Sequence, residues 1–308
     1  MNEMKKFILV AAAAALCLVP LGVAAAKAKK TTSGDTGGHI KNALALVDQR
    51  QFEPAIAEFT AALEANPANA FAIYQNRGAM YLAVGKYPEA LADYTKASEM
   101  KPDDERSYLG KGQAETYLGK WDDAIADLTK AIELKPDDAD AYGFRGFAYA
   151  KLNNWALALP DYDKFLAAKP NDQVALERRA EANRNQGKLP EALGDYSKAI
   201  EQNASKWTLY KGRAYTHHLL KDYRKAAADY RKAYELNPKD NDALSRARAE
   251  EALFATPTPV PVATPEPTPV PTSIVTPLNI GIGLGILLFL IIVIVVVMKK
   301  RTTVEYLK

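Results

Sequence analysis

One cysteine, Cys17, stands in 308 residues. It lies inside an N-terminal apolar run that is expected to be cleaved, so the mature chain would hold none. No disulfide, thiol nucleophile or cysteine metal site is then available. Histidine is nearly as scarce: His39 falls in the leader, and His217 and His218 are adjacent. Neighbours on a helix point about 100° apart, so that pair cannot grip one metal. No phosphate-cradling glycine loop, zinc-ligand spacing or nucleophile elbow occurs. The acid pairs Asp103–Asp104 and Asp137–Asp138 follow prolines and read as loop and helix-start residues. These absences predict no catalytic residue, no cofactor, no metal and no enzyme.

A large charge of one sign is missing too. Residues 36–255 hold 31 Lys+Arg and 33 Asp+Glu, a net of −2. Nucleic-acid binding has no electrostatic support at that balance. The charge is unevenly placed. Residues 36–140 have 11 basic and 18 acidic side chains, net −7, and residues 141–255 have 20 and 15, net +5. A polarised rod can steer a complementary partner or stack head to tail. The alternative is a drift in the composition of solvated helix faces.

What is present is a period. Pro102, Pro136 and Pro170 are spaced by 34 residues, and a fixed spacing of that length marks a repeat array. The clearest unit, Glu105–Asp138, reads as two helices. Tyr108, Lys111, Gly112 and Glu115 fall at helical spacing on the first, and Ala124, Leu128, Ala131 and Ile132 on the second. Gly119 lies between them, where a turn needs positive φ. Asp122 and Asp123 suit the start of the second helix, and Pro136 stops it. Six units follow: 36–69, 71–104, 105–138, 139–172, 173–206 and 207–240, with one inserted residue near Ala70. The small residue of the first helix is Ala43, Gly78, Gly112, Gly146, Ala180 and Ala214. The second helix opens on Phe52, Tyr87, Trp121, Trp155, Leu189 and Tyr223. Its alanine is Ala55, Ala90, Ala124, Ala158, Ala192 and Ala226. Unit five departs, with Ala204 in the proline slot.

These columns resemble the tetratricopeptide repeat (TPR) family, with unit two matching throughout at Tyr74, Gly78, Tyr81, Ala90, Tyr94, Ala97 and Pro102. The resemblance covers about residues 36–240. It implies an all-α superhelix of helix hairpins, each unit burying its apolar face against its neighbours. It also implies that the first helices line a concave groove for a protein partner, an extended peptide or a helix. The groove positions would be Gln75, Ala79 and Leu82 in unit two, and Arg106, Leu109, Gln113 and Tyr117 in unit three. Unit four would give Asp140, Phe147 and Lys151, unit five Glu177, Glu181 and Arg184, and unit six Lys211, Tyr215 and His218. The chaperone-binding members hold a terminal carboxylate with a Lys/Asn/Arg clamp. Gln75 and Ala79 stand at clamp-like positions here, so that specialisation is not expected.

The ends carry other signals. Residues 1–26, with Lys5, Lys6, an apolar run and Ala24–Ala26, read as a signal peptide, the alternative being an uncleaved anchor. Residues 27–35 form a polar leader. Residues 241–255 read as an amphipathic capping helix, with Leu244, Ala247 and Glu251 near one face and the arginines and glutamates toward water; a partner-binding helix is the alternative. The Pro/Thr-rich stretch 256–277 favours polyproline II and can span roughly 70 Å. Residues 278–298 are uncharged and, as a helix, reach about 31 Å, enough to cross a bilayer core. Lys299, Lys300 and Arg301 begin the tail 299–308 and place it in the cytoplasm, with the repeats outside. Gly281 and Gly285 have the spacing of a helix-pairing motif and suggest a weak homodimer. Asn203 begins the sequon Asn203-Ala204-Ser205, an N-glycosylation signal.

Together these readings predict a single-pass membrane protein with an extracytoplasmic repeat array, a scaffold that binds protein partners to organise an envelope complex. The alternative is a structural tether that recognises cell-wall or surface-layer polymer.

Overall fold

A computed structural model of the chain describes residues 35–65 and 67–254. The predicted signal peptide, stalk, membrane span, glycine pair and tail lie outside these residues, as does the leader up to residue 34. No described helix is long and apolar enough to cross a membrane.

Thirteen α-helices, and no strand, occur among the described residues. They form six hairpins: α1 (Thr36–Asp48) with α2 (Phe52–Glu64), α3 (Ala70–Ala83) with α4 (Tyr87–Met100), and α5 (Glu105–Leu118) with α6 (Trp121–Leu134). Then come α7 (Ala139–Lys151) with α8 (Trp155–Ala168), α9 (Gln173–Asn185) with α10 (Leu189–Gln202), and α11 (Trp207–Leu219) with α12 (Tyr223–Leu236). The capping helix is α13 (Asn241–Phe254). Every second helix starts on the aromatic or leucine that the repeat pattern marks. His39 lies inside α1 rather than in a leader, and its Nδ1 is 2.6 Å from Glu58 Oε2 on α2.

Each hairpin turns through one left-handed residue. Gly85, Gly119 and Gly187 take it at φ near +75°, as expected for a residue without Cβ. Arg50, Asn153 and Lys221 hold the same place in the other three units, at φ of 58°, 58° and 61°. Asp104 and Asp138 cap α5 and α7 by accepting backbone N–H bonds, the helix-start role read from the sequence, and Asp172 caps α9 in the same way. Where unit five lacks its proline, α10 still ends at Gln202. Asn203 Oδ1 accepts the Ser205 N–H at 3.0 Å, so an Asn side chain makes the turn. Asn203 is exposed there.

The core is built from small-against-large exchanges. The six second-helix alanines are fully buried. A Cβ on Gly112 would collide with the Leu128 side chain of its own hairpin. Between hairpins, Tyr94 packs against Gly110 and Tyr196 against Gly212, leaving no room for a side chain at either glycine. The array therefore stacks at close backbone distance, and apolar clusters such as Val47, Ile56, Phe59, Ile73 and Met80 fill the space between hairpins.

A polar ladder runs through the same stack. Arg77, Arg145, Arg179 and Arg213 each hold the Asp sixteen residues later, Asp93, Asp161, Asp195 and Asp229, with two parallel hydrogen bonds of 2.6–2.9 Å. Lys111 holds Asp127 in unit three. The third nitrogen of each arginine reaches the second helix of the preceding unit, at Thr60, Thr129, Asp163 or Ser197. One guanidinium thus ties three helices across two repeats. Bidentate pairs of this kind fix orientation as well as contributing energy.

Helix α13 closes the last hairpin with Ala243, Ala247 and Glu250 buried. The expectation that all its glutamates face water is corrected at Glu250, which lies 2.7 Å from His218 Nδ1. Its buried carboxylate needs a partner, and His218 supplies it.

Candidate functional site

The first helices α3, α5, α7, α9 and α11 touch one another in succession, and no pair of successive second helices makes comparable contact. The stack is therefore tighter on the first-helix side, and that side is its inner face. The candidate groove residues all lie on first helices.

In units two, five and six the fifth residue turns toward the loop that leads to the next unit. Gln75 is buried, and its amide donates to Asp104 and Ser107. Glu177 accepts from Lys206 at 2.8 Å and from Thr208 at 3.0 Å. Lys211 donates to Asp240 at 2.8 Å and lies 2.9 Å from Asp242. Asp140, at the second position, pairs with Lys169. These four predicted groove residues tie a helix to its own inter-unit loop. Arg106 and Lys151 are exposed, and Gln113 is partly buried.

Two clusters form on the inner face. The first surrounds Tyr117 and Phe147. Tyr117 stacks on Tyr87 with ring centroids 4.7 Å apart and meets Phe144 edge-on at 6.1 Å. Burial raises its phenol above the usual range and keeps it neutral. Phe147 meets Trp121 edge-on at 6.0 Å and lies under Lys151 at 5.1 Å and Arg178 at 5.2 Å. A pocket opens beside these rings, lined by Tyr117, Phe144, Phe147, Tyr162, Phe165 and Arg178, with Gly143 at its wall. Glu181 lies 3.4 Å from Arg178 Nη1.

The second cluster lies in units five and six. Arg184 donates to the Tyr196 hydroxyl at 3.0 Å and sits over the Tyr215 ring at 5.2 Å. Tyr215 is exposed and lies near-parallel to His218 at 6.2 Å. Trp207, Lys211 and Arg246 complete a wider depression. His217 points elsewhere: it is buried, 4.0 Å from Asp222 Oδ2.

Sequence reasoning did not single out Gly143, Phe165, Arg178, Trp207 or Arg246. A signal for two of them was present in the columns. Phe165 stands where the other second helices have Ala62, Ala97, Ala131, Ala199 and Ala233, and Gly143 stands where other first helices have Gln75, Leu109, Glu177 and Lys211. Among the described residues no group of three or more His, Cys, Asp or Glu is placed to hold a metal ion. The arrangement offers aromatic faces, cations and an apolar pocket, the chemistry of recognition.

Known proteins share this organisation. Family profiles described as tetratricopeptide repeat match residues 71–104 and 176–241, and one described as TPR repeat matches residues 112–153. Protein SGT1 homolog of Oryza sativa subsp. japonica is 43% identical over 70 residues, 23% of this chain and 18% of that protein. Protein STIP1 homolog of Dictyostelium discoideum is 37% identical over 70 residues, 23% of this chain and 12% of that protein. The chain thus spans less than a fifth of either relative. Among solved structures, YrrB, described as a TPR protein with an unusual peptide-binding site, superposes with a TM-score of 0.56 at 26% identity, over 62% of this chain and 97% of YrrB. With the repeat columns, the paired helices and these matches in agreement, residues 71–104, 112–153 and 176–241 carry tetratricopeptide repeats.

Proposed function

We propose that the chain is a membrane-anchored, extracytoplasmic scaffold that binds protein partners on the inner face of its repeats and organises an envelope complex. The carrying observation is the inner face itself. It presents Tyr117, Phe147 and Lys151 at an apolar pocket and Arg184 and Tyr215 at an open depression. Aromatic rings beside arginines are the side chains that dominate protein recognition. The peptide-binding site described for YrrB supports the same use of the fold. Anchoring is supported by the uncharged run 278–298 followed by Lys299, Lys300 and Arg301.

Chemical crosslinking of the full-length chain in its native membranes tests the binding role. The wild type is expected to give discrete adducts that Arg184→Glu reduces. Identical adducts from both would remove the inner face from the account. Protease added to intact cells or protoplasts tests the orientation. It should remove the repeats and spare the tail, and protection of the repeats would refute the external placement.

A further inference from the structure

Three cation–aromatic pairs frame the depression in units five and six. Arg184 sits over Tyr215 at 5.2 Å, Lys211 over Trp207 at 5.6 Å and Arg246 over Tyr230 at 6.0 Å. The three cations come from α9, α11 and α13. Gly212 carries no side chain into the space between them, which has a volume of about 410 Å³. Ligand sites commonly enclose about 300–1,000 Å³, so the space is large enough to hold one. None of the residues that line it is acidic.

The cations are not equally engaged. Lys211 reaches Asp240 at 2.8 Å and Asp242 at 2.9 Å, and Arg246 reaches Asp242 at 3.0 Å. Arg184 has no ion pair among the described residues. Its Nη1 donates to the Tyr196 hydroxyl, and its Nε is buried without a hydrogen-bond partner. Other nearby carboxylates are held: Glu177 by Lys206, Glu181 by Arg178 and Glu250 by His218. Two carboxylates therefore face three cations, and the positive charge of Arg184 stays unbalanced. Asp242 is also the looser of the two carboxylates, with its side chain 50% exposed against 11% for Asp240. Ion pairs so open to water contribute little, so an incoming anion can take the place of Asp242.

Building on the binding role proposed above, we infer that this depression recognises an acidic segment of a partner protein, and that Asp242 is a built-in competitor for it. One side-chain carboxylate of the partner meets Arg184. A second displaces Asp242 from Lys211 and Arg246. A single unbalanced positive charge suits a singly charged carboxylate better than a phosphate group, which carries up to two charges.

The test uses the purified full-length chain in detergent and two fluorescein-labelled, C-terminally amidated heptapeptides, read by fluorescence anisotropy. The first is Ser-Glu-Ser-Glu-Ser-Glu-Ser, and the second has Gln for each Glu. The amide removes the terminal carboxylate, so only side chains distinguish the two. The first should bind about tenfold or more tightly than the second. Arg184→Gln should remove most of that preference. Asp242→Asn should strengthen binding of the first about threefold or more and leave the second unchanged. A gain in affinity cannot come from misfolding, so Asp242→Asn keeps the test decisive if Arg184→Gln does not fold. Glu201→Gln makes the same change in charge at an exposed place on α10 and should alter neither peptide. Equal binding of the two peptides, binding of neither, or no gain from Asp242→Asn would overturn the inference. An equal gain from Glu201→Gln would reduce the effect to bulk charge and overturn it too. Poly(glycerol phosphate) that binds with the same dependence on Asp242, in place of the acidic peptide, would assign the depression to a phosphate polymer and overturn it as well. If these tests fail while crosslinked adducts still depend on Arg184, only the acidic recognition falls. If the adducts do not depend on Arg184 either, the binding role falls with it.

Discussion

Arg145 grips Asp161 through two parallel hydrogen bonds of 2.8 Å, and its third nitrogen reaches Thr129 on the preceding hairpin at 3.1 Å. Asp161 is only 3% exposed. Removing the arginine strands a buried carboxylate, which costs about 3 kcal/mol or more. Arg145→Ala should therefore lower the urea midpoint by that equivalent. Arg145→Lys should cost less, because Lys111 fills the same place against Asp127 in unit three. Equal losses from the two variants would show that a positive charge without the fork geometry does not hold Asp161.

The hairpin turns give a second prediction. Arg50 and Lys221 adopt left-handed backbone that Gly85, Gly119 and Gly187 adopt in sister units. An L-residue there is strained by roughly 1–2 kcal/mol, part of which glycine recovers at an entropic cost. Arg50→Gly and Lys221→Gly should each raise stability by about 1 kcal/mol, and Gly119→Ala should lower it by a similar amount. Thermal melts of the three variants decide the sign.

Unit five carries an inverted pair. Lys211 faces Asp240 in unit six, while Glu177 faces Lys206 at the equivalent places in unit five. Glu177→Lys should destabilise by about 1 kcal/mol or more through like-charge contact and a lost partner. Adding Lys206→Asp should restore most of that loss by recreating the arrangement of unit six. A double variant no more stable than Glu177→Lys alone would contradict the pairing, with the coupling read by a double-mutant cycle.

Two buried groups predict opposing pH effects. Burial, and then the neighbouring Asp127 carboxylate, push the Glu115 carboxyl up to about 8. Between its unfolded value near 4.3 and that folded value, the native chain holds a proton the unfolded chain releases. Stability falls as pH rises through this window. Burial lowers the His217 imidazole below its ordinary value. The unfolded chain then protonates first below about pH 6.5, so this contribution is lost as pH falls from there. Glu115→Gln should flatten the alkaline-side loss and be more stable than the wild type at pH 8. His217→Gln should flatten the acid-side loss. Urea melts between pH 5 and 9 compare the slopes.

The fold was largely legible because its determinants are local and repeat. Trp121, Ala124 and Pro136 each act within one hairpin, and a spacing of 34 residues makes such columns visible. The Arg–Asp ladder was written in equally regular columns, but charged positions on amphipathic helices ordinarily face water. Only the packing of three helices shows Asp93, Asp161 and Asp195 to be buried. The groove was less legible for a related reason. The family resemblance assigns Gln75, Glu177 and Lys211 to the groove, yet the loop at the end of each of their units returns close enough to bind them. That return is a tertiary feature with no one-helix signature. The Gly143 and Phe165 exchange needed two columns read together, since either departure alone looks like ordinary repeat drift.

Site-specific photocrosslinking tests the central claim most directly. A photoreactive amino acid is placed in the full-length chain at Arg106 or Tyr215 on the inner face, or at Lys164 on a second helix, all three exposed. Irradiation of intact cells should give protein adducts from Arg106 and Tyr215 and none from Lys164. Adducts from Lys164 alone, or equal adducts from all three positions, would contradict binding on the first-helix face.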